Sequence, residues 1–299
     1  MKRRRRGGGL VALTLIVVVT VVAVIVGPDL WDRYGDRVFS DKCTVTVGSE
    51  TATLTAEQTN NAAIIAAAAV QRDLPARAAT IGIATAIQES SLRNIDYGDR
   101  DSVGLFQQRP SQGWGEVEQI LDPYYSVGKF YDGLVKVSGW QDLPVTEAAQ
   151  AVQISGFPDA YADHEPEARL WASALTGNGG SVDCDLDDST ATTARALMDR
   201  IDLDYGAGAY AVDVLDVNNN STVLGFRARE GEGAVPSAQA AQSLREWAVA
   251  VASAQFVTDA SVNGEGWMRG NGLYSGSIAE DSPISGYEGA VITIKTADS

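Results

Sequence analysis

The stretch Ile81–Trp114, IGIATAIQESSLRNIDYGDRDSVGLFQQRPSQGW, decides how this chain reads. Its first half has helical spacing, with Ile81, Ala84 and Ile87 on one apolar stripe. That helix carries a single acid, Glu89, beside Ser90 near its end. A polar turn with Asp96, Asp99 and Asp101 follows and leads to Gly104-Leu105-Phe106-Gln107-Gln108. An acid delivered by an apolar helix, next to a loop rich in amides and hydroxyls, suits a cleft for a polar polymer. Partial burial favours the neutral carboxyl, so such a group can protonate a leaving oxygen near neutral pH. Ordinary glycoside hydrolysis pairs two carboxylates, and the three turn aspartates are the candidates for the second. On composition alone, Glu89 is equally a helix-end carboxylate or the ion-pair partner of Arg93.

The chain as a whole bounds these options. Its 299 residues are 45% apolar and 21% charged, which is globular, with room for one to two domains. The net charge of -16 hides an asymmetry, because Lys2 and Arg3 to Arg6 cluster at the start. The remainder has 18 Lys+Arg against 39 Asp+Glu, about -21, which argues against nucleic acid and anionic lipid as partners of the folded part. The basic cluster precedes Leu10–Val26, an uncharged apolar run. Seventeen residues make a helix of about 25 Å, near the lower limit for crossing a bilayer. Arginines before the run and Asp29, Asp32 and Asp36 after it imply a single-pass cell-membrane protein, N-terminus inside and ectodomain outside. A cleaved signal peptide is the competing reading, although no small-x-small site precedes Gly27-Pro28.

An outside location gives Cys43 and Cys184 a meaning. They are the chain's two cysteines and bracket one segment, so a disulfide staple is expected, with two free thiols as the alternative. Neither has a neighbouring His or Cys, and His164 is the sole histidine, which weighs against Ser-His-Asp, Cys-His and zinc catalysis. No metal or other cofactor is expected. The acids of the turn match no EF-hand spacing, and Asp216-x-Asn218-x-Asn220 reads as a turn.

Along the chain, residues 43–54 alternate and turn like a β-hairpin. Thr55-Ala-Glu-Gln58 has capping-box spacing and opens an Ala-rich helix to Gln71, which Leu74-Pro75 breaks. Ala76 opens the helix that ends at Glu89. Short helices follow over 117–121, 124–137, 146–156 and 160–174. Beyond a linker, Tyr210–Val217 and Thr222–Arg229 pair as strands around Asn218-Asn-Asn220, and Pro236–Phe256 is helical. Ser261-Val262, Trp267-Met268 and Val291–Ile294 read as short strands. The expected fold is a mainly α lysozyme-like domain behind an N-terminal transmembrane helix, followed by a small α+β domain. The expected boundaries are 1–27 (basic stub and anchor), 28–42 (juxtamembrane), 43–184 (lysozyme-like), 185–200 (linker) and 201–299 (small α+β).

One resemblance sharpens the chemistry. Gln88-Glu89-Ser90-Ser91-Leu92 followed by Ser102-Val103-Gly104-Leu105-Phe106-Gln107 resembles the Glu-Ser and Gly-Leu-Met-Gln signature of soluble lytic transglycosylases, with their goose-type lysozyme-like fold. Leu121-Asp122-Pro123, the helix with Tyr125 and Tyr131, and Glu147–Gly156 match later landmarks. GLFQQRPSQGWG (104–115) and FPDAY (157–161) are similar to actinobacterial wall-associated members. The likeness covers roughly 55–175. It implies peptidoglycan glycan strands as substrate, cut between N-acetylmuramic acid and N-acetylglucosamine with Glu89 as the acid and then the base, giving a 1,6-anhydro product. It implies substrate contacts from Ser90, Ser102, Gln107, Gln108, Tyr125 and Gln153. Phe106 replaces the family's Met, and Gln153 replaces a cleft Tyr whose role falls to Tyr125, Tyr161 or an amide. Hydrolysis by a water held between Glu89 and a turn Asp therefore stays open. So does a weak or inactive wall-binding protein that keeps the cleft. Trp114 and Trp140 are either sugar platforms or packing, His164 reads as a helix-surface residue, and Trp267 and Tyr274 look exposed.

Overall fold

The alternation of Cys43-Thr-Val-Thr-Val47 places Cys43 and Val45 on one side of a strand, and both are buried. This strand, β1 (Lys42–Val47), turns back through Gly48 into β2 (Glu50–Thr55), with Cys43 opposite Leu54. Thr55 then caps helix α1 (Ala56–Gln71). Its hydroxyl accepts from the Gln58 amide at 3.3 Å, and the Gln58 side chain accepts from the Thr55 amide at 2.9 Å. Two otherwise orphaned donors are thus satisfied by the spacing Thr-x-x-Gln. Helix α2 (Ala76–Ser90) packs against α1, with Ile65 of α1 against Gly82 of α2. The computed structural model describes residues 41–187, 189–229, 237–277, 279–280 and 282–296.

Four further helices complete this region: α3 (Val117–Ile120), α4 (Pro123–Leu134), α5 (Val145–Gln153) and α6 (Glu165–Leu175). A 3-10 turn, Ala160–His164, leads into α6. The chain then returns to the first sheet as β3 (Ser181–Asp185), antiparallel to β1 in the order β2-β1-β3. Cys184 falls directly opposite Cys43 in this register, and the two form a disulfide across 141 residues.

Helix α7 (Ala194–Tyr205) follows, its N-terminus capped by Thr193. The chain continues through β4 (Tyr210–Val217), β5 (Ser221–Ala228), α8 (Ser237–Ala250), α9 (Ala252–Gln255), β6 (Val257–Val262), β7 (Glu265–Met268), β8 (Gly272–Ser275) and β9 (Ala290–Lys295). The six strands form an antiparallel sheet ordered β4-β5-β9-β6-β7-β8. Its inner rungs, Leu224 opposite Ile292 opposite Ala260 opposite Trp267, are fully buried. This side packs on α8.

The expectation of a mainly α fold is corrected. Among the described residues 43% are helical and 23% are in strands, and two antiparallel sheets make the molecule mixed α/β. Two elements had weak local signals. β3, SVDCD, is short and acidic, and it exists because β1 offers it an edge. The expected linker at 185–200 contains the start of α7, whose apolar residues Leu197, Ile201 and Tyr205 are buried by tertiary contacts. The expected membrane span Leu10–Val26 lies outside the described residues, among which no helix is long and apolar enough to cross a membrane. The expected domains 43–184 and 201–299 meet in one hydrophobic core, within the compact unit Asp41–Ser299.

Two buried carboxylates join these regions. Asp204 on α7 has a fully buried side chain and accepts from Tyr124 on α4 at 2.6 Å, Arg200 at 2.9 Å and the Trp247 indole on α8 at 2.6 Å. Glu246, the neighbour of Trp247, accepts from the Val182 amide of β3 at 2.7 Å, from Gln242 at 2.6 Å and from Arg245 at 2.8 Å. Removing Asp204 would leave Arg200 buried without its counter-ion. We expect Asp204→Ala to cost about 3–5 kcal/mol, and Tyr124→Phe about 1.5–3 kcal/mol, read from urea unfolding midpoints. Replacing both cysteines by serine should cost up to about 5 kcal/mol in the chain-entropy account of so long a loop, measured the same way.

Candidate functional site

Glu89 sits on the last turn of α2, partly exposed, and its position is set by how that helix stops. Ser91 and Leu92 both take left-handed backbone, with φ of 54° and 56°, so the chain reverses within two residues. This conformation costs non-glycine residues energy. Helix α1 supports it: Gln58 donates to the Ser91 carbonyl and Asn61 to the Leu92 carbonyl, each at 2.8 Å, while the Leu92 side chain is fully buried.

Ser90 is buried and faces inward. Its hydroxyl lies 2.7 Å from the Leu105 carbonyl and 3.1 Å from the Ala86 carbonyl, and it accepts from the Arg93 amide. It therefore ties the helix end to the 103–108 loop. That loop is closed by paired backbone bonds between Val103 and Gln108, both 3.0 Å. Gly104, at φ 80°, has the Ile120 carbonyl 2.8 Å from where a Cβ would lie, so no larger residue fits. Phe106 is fully buried and stacks on Phe130, ring centroids 4.5 Å apart. The aromatic ring thus fills core volume, and its carbonyl, not its side chain, serves the site.

The other expected site residues divide into wall and scaffold. Gln107, at φ 46°, folds back to donate to the Tyr97 and Gly104 carbonyls at 3.3 Å. Gln108 is buried and donates to the Ser126 carbonyl at 3.1 Å. Ser102 is buried, its amide bonded to the Asp99 carbonyl. Tyr125 donates to the Trp114 carbonyl at 3.1 Å and lies over Gly115. Gln153 donates to the Phe106 carbonyl at 2.8 Å, linking α5 to the loop. Trp140 is buried and Trp114 half-buried against the core.

The residue that touches Glu89 is Tyr161. Its hydroxyl donates to Glu89 Oε1 at 2.6 Å from the 3-10 turn before α6. Burial, then the bond to Glu89 and the carboxylate's charge, pushes this phenol well above its ordinary range, so it stays a donor. Beside it, His164 Nε2 and Gln88 Oε1 are 2.8 Å apart, and burial lowers the imidazole, which favours its neutral form. His164 is thus part of the wall and not a plain helix-surface residue. Arg93 lies 4.0 Å from Glu57, not against Glu89.

Among the three turn aspartates, Asp101 is committed to the Ser111 amide at 2.8 Å, the Ser111 hydroxyl at 3.0 Å and Arg109 at 3.0 Å, and these bonds hold its carboxyl far below the usual range. Asp96 and Asp99 are exposed. Three large exposed side chains were not legible as site features: Tyr97 on the loop that Gln107 fastens, Ile154 next to Gln153, and Phe157 before Tyr161. Their only sequence signal is an aromatic or branched residue inside a turn. Among the described residues no His, Cys, Asp and Glu cluster could hold a metal ion.

No family model matches this chain, and no curated protein matches it. What the geometry defines is therefore a chemistry: one partly buried carboxyl, held on one oxygen by a phenol, above a loop fastened by amides. If Gln153 fastens that loop, Gln153→Ala should cost about 1 kcal/mol. It should also speed hydrogen exchange at amides 104–108, while exposed Gln141→Ala changes neither.

Proposed function

We propose that this protein cleaves peptidoglycan glycan strands outside the cytoplasmic membrane, by the reaction of a lytic transglycosylase. The observation that carries the reading is the 2.6 Å bond from Tyr161 to Glu89 Oε1. With Oε1 accepting from the phenol, the transferable proton of the neutral acid belongs on Oε2. Glu89 donates that proton to the oxygen between muramoyl C1 and the N-acetylglucosamine, and the C1–O bond breaks. The muramoyl 6-hydroxyl then bonds to C1, and its proton passes to the Glu89 carboxylate, restoring the acid. One carboxyl suffices for both transfers, in keeping with the commitment of Asp101 to Arg109 and Ser111. In this account Tyr161 takes the part of the tyrosine that Gln153 lacks, and it acts on orientation, not on substrate.

Binding of a long polysaccharide is supported by three large exposed apolar side chains, Tyr97 on the loop that Gln107 fastens, Ile154 next to Gln153 and Phe157 four residues before Tyr161. The Ser90 hydroxyl and the Gln108 amide nitrogen donate to backbone carbonyls, and Ser102 is buried, so these three act as scaffold. Gln107 donates through its amide nitrogen and keeps its side-chain carbonyl oxygen for sugar amides or hydroxyls, whereas that of Gln153 is buried. The disulfide supports an oxidising, extracytoplasmic compartment.

Purified protein incubated with peptidoglycan should release muropeptides with anhydro-muramoyl ends by mass spectrometry. Reducing ends instead would make it a lysozyme, and no release would make it a binding protein. Glu89→Gln should abolish release. Tyr161→Phe should lower kcat about 10–100-fold with KM little changed, because general acid–base contributions are of about 10²–10⁴-fold and the acid itself remains.

A further inference from the structure

The outward side of the six-stranded sheet holds a cavity of about 610 Å³, remote in the chain from Glu89. One continuous rung crosses it: Val223 on β5 opposite Thr293 on β9, opposite Asp259 on β6, opposite Met268 on β7. With Val291 and Ile284, the side chains of Val223 and Met268 make much of its surface apolar. This face is opposite the one that α8 covers, and Met268 and Tyr274 are 40% and 37% exposed.

Asp259 is the acid of this cavity, and it has no ion-pair partner among the described residues. Tyr274 reaches it from β8 by crossing β7 over Gly266, where a Cβ would lie 2.7 Å from the phenol oxygen. Its hydroxyl is 3.0 Å and 3.2 Å from the two carboxylate oxygens. The two basic residues of the cavity are engaged elsewhere. Lys295 donates to the Ser189 carbonyl at 3.1 Å, and Arg269 donates to the carbonyls of Val257, Asp187 and Ala252. Burial pushes the Asp259 carboxyl up to about 6, and the Tyr274 hydroxyl is what pulls it back. A half-buried carboxylate on the wall of a partly apolar cavity, with no ion-pair partner among the described residues and beside an accessible phenol ring, lacks one component. That component is an external cation with an apolar body, which would gain the charge pair and the face of Tyr274 together.

We propose that this cavity is a binding site for an organic ammonium ligand: a protonated amine at Asp259 and an apolar body along Val223, Val291 and Met268. The site is independent of the glycan chemistry at Glu89. Three probes share one indole body and differ in the head group: tryptamine, tryptophol and indole-3-propionate. Calorimetric titration of the full chain at about pH 8, where a carboxyl near 6 is ionised, should give binding in the order tryptamine, tryptophol, indole-3-propionate. Asp259→Asn should weaken tryptamine at least about tenfold and leave tryptophol unchanged. Met268→Trp, which fills the cavity and spares Asp259, should remove both. The proposal is overturned if the three probes bind alike or none binds. It is equally overturned if tryptamine binds Asp259→Asn or Met268→Trp as it binds the native protein.

Discussion

Two adjacent residues on α8, Glu246 and Trp247, carry the constraint on which the rest of the molecule depends. Consecutive helical residues project about 100° apart, so the pair reaches two different structures from one turn. Glu246 accepts the Val182 amide of β3 and so meets the first sheet, while Trp247 donates to Asp204 and so meets α7 and, through Tyr124, α4. Both carboxylates are buried, and burial raises Glu246 despite its Arg245 partner. Ions taken out of water must have every lone pair used. Each therefore demands a fixed set of donors, and those donors come from separate elements between Tyr124 and Trp247. The disulfide adds a covalent tie at the neighbouring position, where Cys184 also offers its carbonyl to the Trp267 indole.

Within that frame the Glu89 region is built by backbone carbonyls seeking donors. Reversing the chain at Ser91 and Leu92 frees carbonyls at the end of α2, and Gln58 and Asn61 supply amides from α1. The same logic recurs at Leu105, Phe106 and Ser126, bonded by Ser90, Gln153 and Gln108. Most polar side chains of the motif are thus spent on holding loop shape. Glu89 differs in that its partner is a phenol with a second carboxyl oxygen left over. A loop whose amides are already used can face water without rearranging, which is what a preorganised acid requires.

The parts legible in the sequence were those with a local cause. The β1–β2 hairpin, the Thr55 and Gln58 capping box, the helix ending at Glu89, the β4–β5 pair and the helix over α8 each follow from spacing within a dozen residues. β3 and α7 do not. Ser181–Asp185 pairs only because β1 lies beside it, and the first half of Ala194–Tyr205 falls in the expected linker 185–200, although Leu197 and Ile201 are buried in the core. The third strand of the first sheet thus comes from an edge and not from a local signal. Trp267 shows the same limit. It looked exposed, yet it is fully buried, since its surroundings come from strands far away in sequence.

The sequence alone determined which residues turn, cap and alternate, which two cysteines could bond, and that Glu89 ends an apolar helix beside an amide-rich loop. Tertiary structure decided what each of those groups touches. It gave Glu89 to Tyr161, 72 residues away, and Arg93 to Glu57. It engaged Asp101 with Ser111, and gave Asp259 a phenol as its hydrogen-bond partner. The reason is physical: a side chain's conformational preference acts over one or two turns of chain, whereas the partner of a charge is set by which surfaces the buried core brings together.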